Sequence, residues 1–231
     1  MIIACNRLRH SDTRKGRKMK HLIQQLMLAS IAALSFAAVP AQATILFQDN
    51  FNTDSAISVL NFNGFANWAV DNGTVDYIRQ GGFGISCAGG AGGCVDLDGS
   101  TSNGGRMVSN TTFNFLAGET YQLRLEVSGN QRGGAADVFS FGILGFGSAT
   151  PAPFAPGDPF TVQSFGGFSS SSPFSGQLFI ETSSNDNVGV IIDNVVLECL
   201  TCQNGNVVPE PGILALMSLG LLGFGLARKR R

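Results

Sequence analysis

Tyr121, Leu123, Leu125 and Val127 alternate with Gln122, Arg124, Glu126 and Ser128, a strict period of two between apolar and polar positions. Successive side chains of an extended chain point to opposite faces, so this stretch is predicted to be a strand with one buried and one wet face. Runs rich in β-branched and aromatic residues predict further strands at 45–47, 68–70, 74–78, 94–97, 107–116, 136–144, 176–182 and 188–198. Turn formers separate them, among them Asp71-Asn72-Gly73, Ala117-Gly118-Glu119, the 130–134 segment and Ser184-Asn185-Asp186-Asn187. No comparable helical period occurs before the tail. Eight or nine short strands in roughly 165 residues predict an all-β fold, an antiparallel jelly-roll β-sandwich long enough to bury a core as one domain.

One stretch breaks the pattern. Residues 145–175 are rich in Gly, Pro, Ser and Phe, and Pro151, Pro153, Pro156 and Pro159 oppose a central strand there. The expectation is a long loop with one edge strand at 160–163 and spaced phenylalanines pegged over the sandwich.

The two ends are built differently from the body. Met19-Lys20-His21 forms a short basic region, 22–39 is rich in apolar residues, and Ala41-Gln42-Ala43 has the small-residue spacing of a cleavage site. Together these describe a secretory signal peptide over 1–43, cut after Ala43. Residues 1–18 carry six Arg or Lys and lengthen the basic region unusually, so translation is expected to start at Met19. At the other end, Val208-Pro209-Glu210-Pro211 leads into 16 uncharged residues, 212–227, and then Arg228-Lys229-Arg230-Arg231. Sixteen residues of helix span roughly 24 Å, short of the roughly 30 Å hydrocarbon core. That suits a single temporary anchor helix, and the four basic residues form a membrane stop that stays cytoplasmic and leaves the body outside. The chain therefore divides into the signal peptide 1–43, a β-sandwich ectodomain 44–203, a short stalk 204–208 and a tail 209–231.

A Pro-Glu-Pro signature, one apolar span and a basic terminus, in that order, resemble the PEP-CTERM sorting signal of Gram-negative bacteria that make extracellular polysaccharide. The resemblance implies that exosortase, a membrane-embedded transpeptidase-like enzyme, recognises Pro209, Glu210 and Pro211 and cuts nearby. The partners expected are the Sec export machinery and signal peptidase at one end, and exosortase and the inner membrane at the other. The ectodomain is expected in the periplasm first, and then at the cell surface or beyond it.

Charge sharpens this picture. Residues 44–208 contain four Arg and no Lys against ten Asp and four Glu, a formal charge of −10 that the whole-chain value of −1 conceals. Such a body is repelled by nucleic acid and by anionic lipid, because both kinds of binding rest on Lys and Arg. Both histidines, His10 and His21, fall in the signal peptide. The mature body thus lacks the usual general base and the commonest zinc ligand, which excludes Ser-His-Asp and Cys-His hydrolysis.

Four cysteines remain in the body, Cys87, Cys94, Cys199 and Cys202. An even number in an exported protein reads as two disulfides, with three pairings open. The favoured pairing joins Cys87 to Cys94 around a glycine-rich loop and Cys199 to Cys202 after the last strand. A redox Cys-x-x-Cys normally opens a helix, and a four-cysteine zinc site wants closer spacing in its first pair; both readings are weaker here.

The early Ile45-Leu46-Phe47-Gln48-Asp49-Asn50-Phe51, Trp68 before Asp71-Asn72-Gly73, Cys94-Val95-Asp96-Leu97-Asp98-Gly99 and the late Ile191-Ile192-Asp193-Asn194-Val195-Val196-Leu197 are similar to the galactose-binding-like jelly rolls. That group includes many carbohydrate-binding modules. The resemblance implies a structural calcium where the first strand passes the last, with Asp193 as the leading ligand and Asp49 or Asn50 on the early strand. The alternative is that Asp193-Asn194 only shapes the strand. Asp96-Leu97-Asp98-Gly99 reads as a turn more readily than as a second calcium loop.

Sugar binding needs an exposed aromatic face beside polar groups. Trp68, Tyr77 and Tyr121 are the candidate rings, but a lone Trp in a sandwich is more often core than ligand platform, and Tyr121 belongs to the apolar face of its strand. Three functions follow: a non-catalytic surface or matrix protein associated with exopolysaccharide or biofilm, a specific carbohydrate-binding module, and a polysaccharide-active enzyme. The third would need two carboxylates roughly 5 to 9 Å apart in a groove. No motif supports it, so the chain is expected not to be an enzyme.

Overall fold

The computed structural model describes residues 43–101 and 103–202. The signal peptide, the stalk 204–208, Pro209, Glu210, Pro211 and the basic terminus lie outside the described residues, apart from Ala43. Eleven strands run in chain order: β1 Thr44–Asp49, β2 Trp68–Asn72, β3 Asp76–Arg79, β4 Gly93–Asp96, β5 Arg106–Phe115, β6 Tyr121–Ser128, β7 Phe139–Ile143, β8 Gly147–Ala149, β9 Thr161–Phe168, β10 Phe174–Thr182 and β11 Ile191–Cys199. They form two sheets in which every pairing between strands is antiparallel. One is ordered β3-β4-β11-β6-β9 with β1 also on β11, and the other β2-β5-β10-β7-β8. The architecture is the expected all-β sandwich of jelly-roll type. Among the described residues, no helix is long and apolar enough to cross a membrane.

The period of two explains the core. Tyr121, Leu123, Leu125 and Val127 of β6 are all buried and join Val195, Leu197 and Cys199 of β11. Facing them from the second sheet are Trp68 of β2, Met107 and Phe115 of β5, Phe141 of β7 and Ile180 of β10. Each fully buried side chain of this size contributes roughly 1.5–3 kcal/mol. The polar alternates stay toward water, where Arg124 pairs with Glu198 across β6 and β11 at 3.2 Å.

Residues 145–175 are more ordered than their composition predicts. They supply β8 and the eight-residue β9, which pairs along the whole of β6 from Tyr121↔Phe168 to Val127↔Thr161. Gly166 lies so close to Gln122 that an added Cβ would come within 2.6 Å of Nε2, and Gly167 has a φ of +67° where the register shifts. These two glycines lower strand propensity in the sequence, yet they allow the bulge that keeps the edge strand in register. Phe154 and Phe168 are buried against the core, as pegs.

A second, smaller apolar cluster lies on the other face of the first sheet. Ile78, Ile85, Cys87, Cys94 and Ile191 form it, with Phe160 packed against it. The disulfides Cys87–Cys94 and Cys199–Cys202 are both formed in the favoured pairing. This removes all four thiolates, so the group formed by Glu119, Cys199 and Cys202 has no thiolate to offer zinc.

Leu123→Ala is expected to cost about 2–5 kcal/mol of unfolding free energy, the range for a large-to-small core change. Arg124→Ala, which breaks a half-exposed ion pair, should cost about 1 kcal/mol or less. Chemical denaturation of both variants checks this, and equal losses would contradict the assigned faces of β6.

Candidate functional site

Strand β1 lies antiparallel to β11, with Asp49 opposite Val195 and Gln48 opposite Val196. At the same place β11 is irregular. Its register to β6 shifts between Asp193 and Val196, and Asn194 sits at a φ of +48°. Asparagine tolerates this left-handed conformation better than other non-glycine residues. The bulge leaves room for a cleft of about 280 Å³, lined by Gln48, Asp49, Asn50, Thr53, Asn67 and Asn194 with Val195 and Val196 between them. Its lining is predominantly polar, and Asp49 is its one carboxylate.

Asp49 is already engaged. Its Oδ1 accepts from the Phe51 amide at 2.8 Å, and its Oδ2 accepts from Asn67 Nδ2 at 3.0 Å and Trp68 Nε1 at 2.9 Å. The last bond joins β1 in one sheet to β2 in the other. Asn50 Oδ1 accepts from the Asn52 amide at 3.2 Å and shapes the following turn.

Asp193 points elsewhere. It is buried on the face of β11 that carries Ile191, beneath the disulfide loop, where its Oδ2 accepts from the Ala88 amide at 3.2 Å and its Oδ1 from the Asn194 amide at 2.7 Å. Burial pushes its carboxyl up to about 7, against the pull of these two amides, and the negative charges of Glu126 and Asp49 push the same way. Of the calcium set expected at this crossing, Asp49 and Asn50 line the cleft, while Asp193 lies beneath the disulfide loop, where each of its oxygens accepts one amide, from Ala88 and Asn194.

The candidate sugar platforms Trp68 and Tyr77 both lie in the core, the commoner place for a lone Trp and a correction for Tyr77. Trp68 is 1% exposed and Tyr77 is completely buried. Phe47 meets the Trp68 ring edge-on at 5.6 Å, and Phe62 lies 5.4 Å from the Tyr77 ring. The Tyr77 hydroxyl sits 3.0 Å from the carbonyls of both Phe51 and Ser55. Each ring faces inward because its polar tip finds a partner inside the fold. Tyr121 is buried as expected.

Sequence reasoning passed over two rings that are open to water among the described residues, Phe83, 49% exposed in the loop after β3, and Phe146. Phe146, 38% exposed, stacks on Phe174 at 4.4 Å, which stacks in turn on Phe115 at 4.6 Å. Phe146 follows β7 inside the stretch read as loop packing, and no local pattern distinguishes it from its buried neighbours.

The PEP-CTERM protein-sorting motif matches residues 207–231. That motif implies an exported protein processed by an exosortase. No curated protein matches the chain in sequence. Among solved structures, the chain is similar to the carbohydrate-binding and catalytic modules of a Clostridium thermocellum endo-1,4-beta-D-xylanase complexed with xylohexaose, with 18% identity, a TM-score of 0.43, and coverage of 71% of this chain and 29% of that one. It is also similar to the xylan-binding domain of a Paenibacillus barcinonensis xylanase, with 12% identity, a TM-score of 0.43, and 72% and 100% coverage. A third is the K1 cleaved adhesin domain of the Lys-gingipain of Porphyromonas gingivalis, with 10% identity, a TM-score of 0.43, and 71% and 99% coverage.

The buried Asp193 makes stability depend on pH. Its folded carboxyl keeps a proton up to about 7, whereas the unfolded chain releases it near 3.8, so the folded state binds more protons between these values and loses stability as pH rises through them. The midpoint of thermal unfolding is expected to fall as pH rises from about 4 to about 7, and Asp193→Asn should lessen that fall, with Asp96, which burial also pushes up to about 7, supplying the remainder. An unchanged slope in the variant would remove Asp193 as one of its sources.

Proposed function

We propose that this chain is an exported, non-catalytic surface or matrix protein, delivered through its sorting tail and contributing to an exopolysaccharide or biofilm layer. The observation that carries this reading is the sorting motif at 207–231, which follows directly on a disulfide-bonded sandwich. In this reading the Sec route exports the chain and signal peptidase cuts after Ala43. The apolar stretch 213–227 then holds the body outside the inner membrane, with Arg228, Lys229, Arg230 and Arg231 on the cytoplasmic side. Exosortase acts at Pro209-Glu210-Pro211 and frees the body or transfers it to a carrier. Two features support the absence of catalysis: the body has no histidine, and the polar cleft offers a single carboxylate where glycoside hydrolysis uses a pair.

A second reading, specific carbohydrate binding, has one observation in its favour. The cleft presents the amides of Gln48, Asn50, Asn67 and Asn194 beside the Asp49 carboxylate, a donor and acceptor set suited to sugar hydroxyls. No aromatic ring lines it, which favours polar recognition of a chain end over stacking along a polymer.

Intact-mass spectrometry of the protein from the producing bacterium, with and without its exosortase, tests the first reading. The mass should end near Pro209 only when the enzyme is present; retention of the tail in both strains would leave a plain membrane-anchored protein. A glycan-array screen tests the second. Binding lost in Gln48→Ala and Asn50→Ala would locate it at the cleft, and a blank array would leave the structural role alone.

A further inference from the structure

A short loop at the end of β11 brings three metal-ligating groups together. Leu200 and Thr201 turn the chain between Cys199, completely buried, and Cys202, half-buried, whose Cα atoms are 5.4 Å apart. Glu119, in the turn between β5 and β6, reaches the same place: a carboxylate oxygen and the two sulfurs all lie within 4.8 Å of one another. The carboxylate is held there by the Thr201 hydroxyl, which donates to its Oε2 at 2.5 Å and accepts from the Thr120 amide at 2.8 Å. Both sulfurs face donors as well. The Cys202 amide points at Cys199 Sγ at 2.9 Å. The Tyr121 hydroxyl accepts from the Leu116 amide at 2.7 Å and lies 3.9 Å from Cys202 Sγ, with its own proton to give.

A donor aimed at sulfur favours the charged thiolate, and a disulfide opens faster when the sulfur that leaves is a stabilised thiolate. Only Cys202 of this pair is open to solvent, so an incoming thiolate attacks there and Cys199 leaves. Cys87–Cys94 differs, because both of its residues are buried in the small cluster around Ile78. We propose that Cys199–Cys202 is a reducible bond and that, once it is opened, Cys199, Cys202 and Glu119 hold a zinc ion. An external dithiol supplies the two electrons. One of its thiolates attacks Cys202 Sγ and the bond to Cys199 breaks. Its second thiol then attacks the mixed disulfide, frees Cys202 and leaves the reductant as its own disulfide. Zinc takes up both sulfurs, and their protons go to water. Two thiolates with a carboxylate make a set that zinc accepts, with a fourth position left for water; calcium takes oxygen ligands. Because zinc binds the opened form alone, it draws the pair toward that form. The site is closed to metal when oxidised and takes metal when reduced, a property that rests on neither the sorting nor the sugar reading.

The test uses the full-length chain in detergent, with Cys5→Ser in every sample so that only the four body cysteines remain. The protein is treated with dithiothreitol without denaturant, freed of the reductant under argon and titrated with zinc chloride in a calorimeter. Alkylation and peptide mapping should find Cys199 and Cys202 opened while Cys87–Cys94 stays closed. The reduced protein should bind one zinc ion, which shields Cys199 and Cys202 from alkylation and slows the return of their disulfide in air. The oxidised protein should bind none there. Glu119→Gln should open with the same dithiol and keep the unfolding midpoint of the oxidised protein. Its zinc affinity should drop by about 10-fold or more, since the loss of an outer-shell partner alone costs that much. The proposal is overturned if Cys199–Cys202 stays closed or Cys87–Cys94 opens first. It is equally overturned if the reduced protein binds no zinc, if the oxidised protein binds it as well, or if Glu119→Gln matches the wild type.

Discussion

The pairing of β11 with β6 is the interaction on which the other parts of this molecule depend. Residues 191–199 lie against 121–128, and β11 also carries β4 at its start and β1 along its second half. Three partners on one strand fix the register of the whole sheet. A slip of one residue would turn Leu123 and Leu197 into water and Arg124 and Glu198 into the core. The burial of those faces against Phe115, Phe141 and Ile180 supplies the driving force, and the hydrogen-bonded ladder determines which neighbours meet.

The polar interior follows from that frame. A strand this central cannot remain regular and also admit an Asp-Asn pair, so the chain bulges at Asp193 and Asn194. The bulge places two successive residues off the inner face, one beneath the disulfide loop and one at the cleft beside β1. Trp68 meets a related demand from the other sheet. Its ring is wanted in the core and its N–H needs an acceptor, and Asp49 supplies one across the seam. The acidic, lysine-free body thus uses some of its carboxylates as internal acceptors for amides and indole, and only part of its formal charge faces solvent.

How much of this was legible depended on the range of the interaction involved. The β6 alternation was read directly, and most other strands were found within a few residues, because a half-buried strand writes its period into the sequence. The disulfides were also legible, since short separations and a glycine-rich loop limit the alternatives. The face of Asp193 was not. Its direction is set by a bulge that depends on β6 and by the loop 87–94 folding over it, neither of which is local. The orientation of Trp68 and Tyr77 could not be read, because residue type says nothing about it; Asp49 and the carbonyls of Phe51 and Ser55, which draw them in, are 19 to 26 residues away along the chain.

The Cys199–Cys202 bond closes a small ring at the end of β11, the last strand before the C-terminal segment. Any tension applied from that side enters the sandwich through this strand. Because β11 is bonded to neighbours on both edges, the load falls along its length on several rows of hydrogen bonds at once. The body thus meets its C-terminal segment through a strand that is hydrogen-bonded on both edges and closed by a covalent ring at its end.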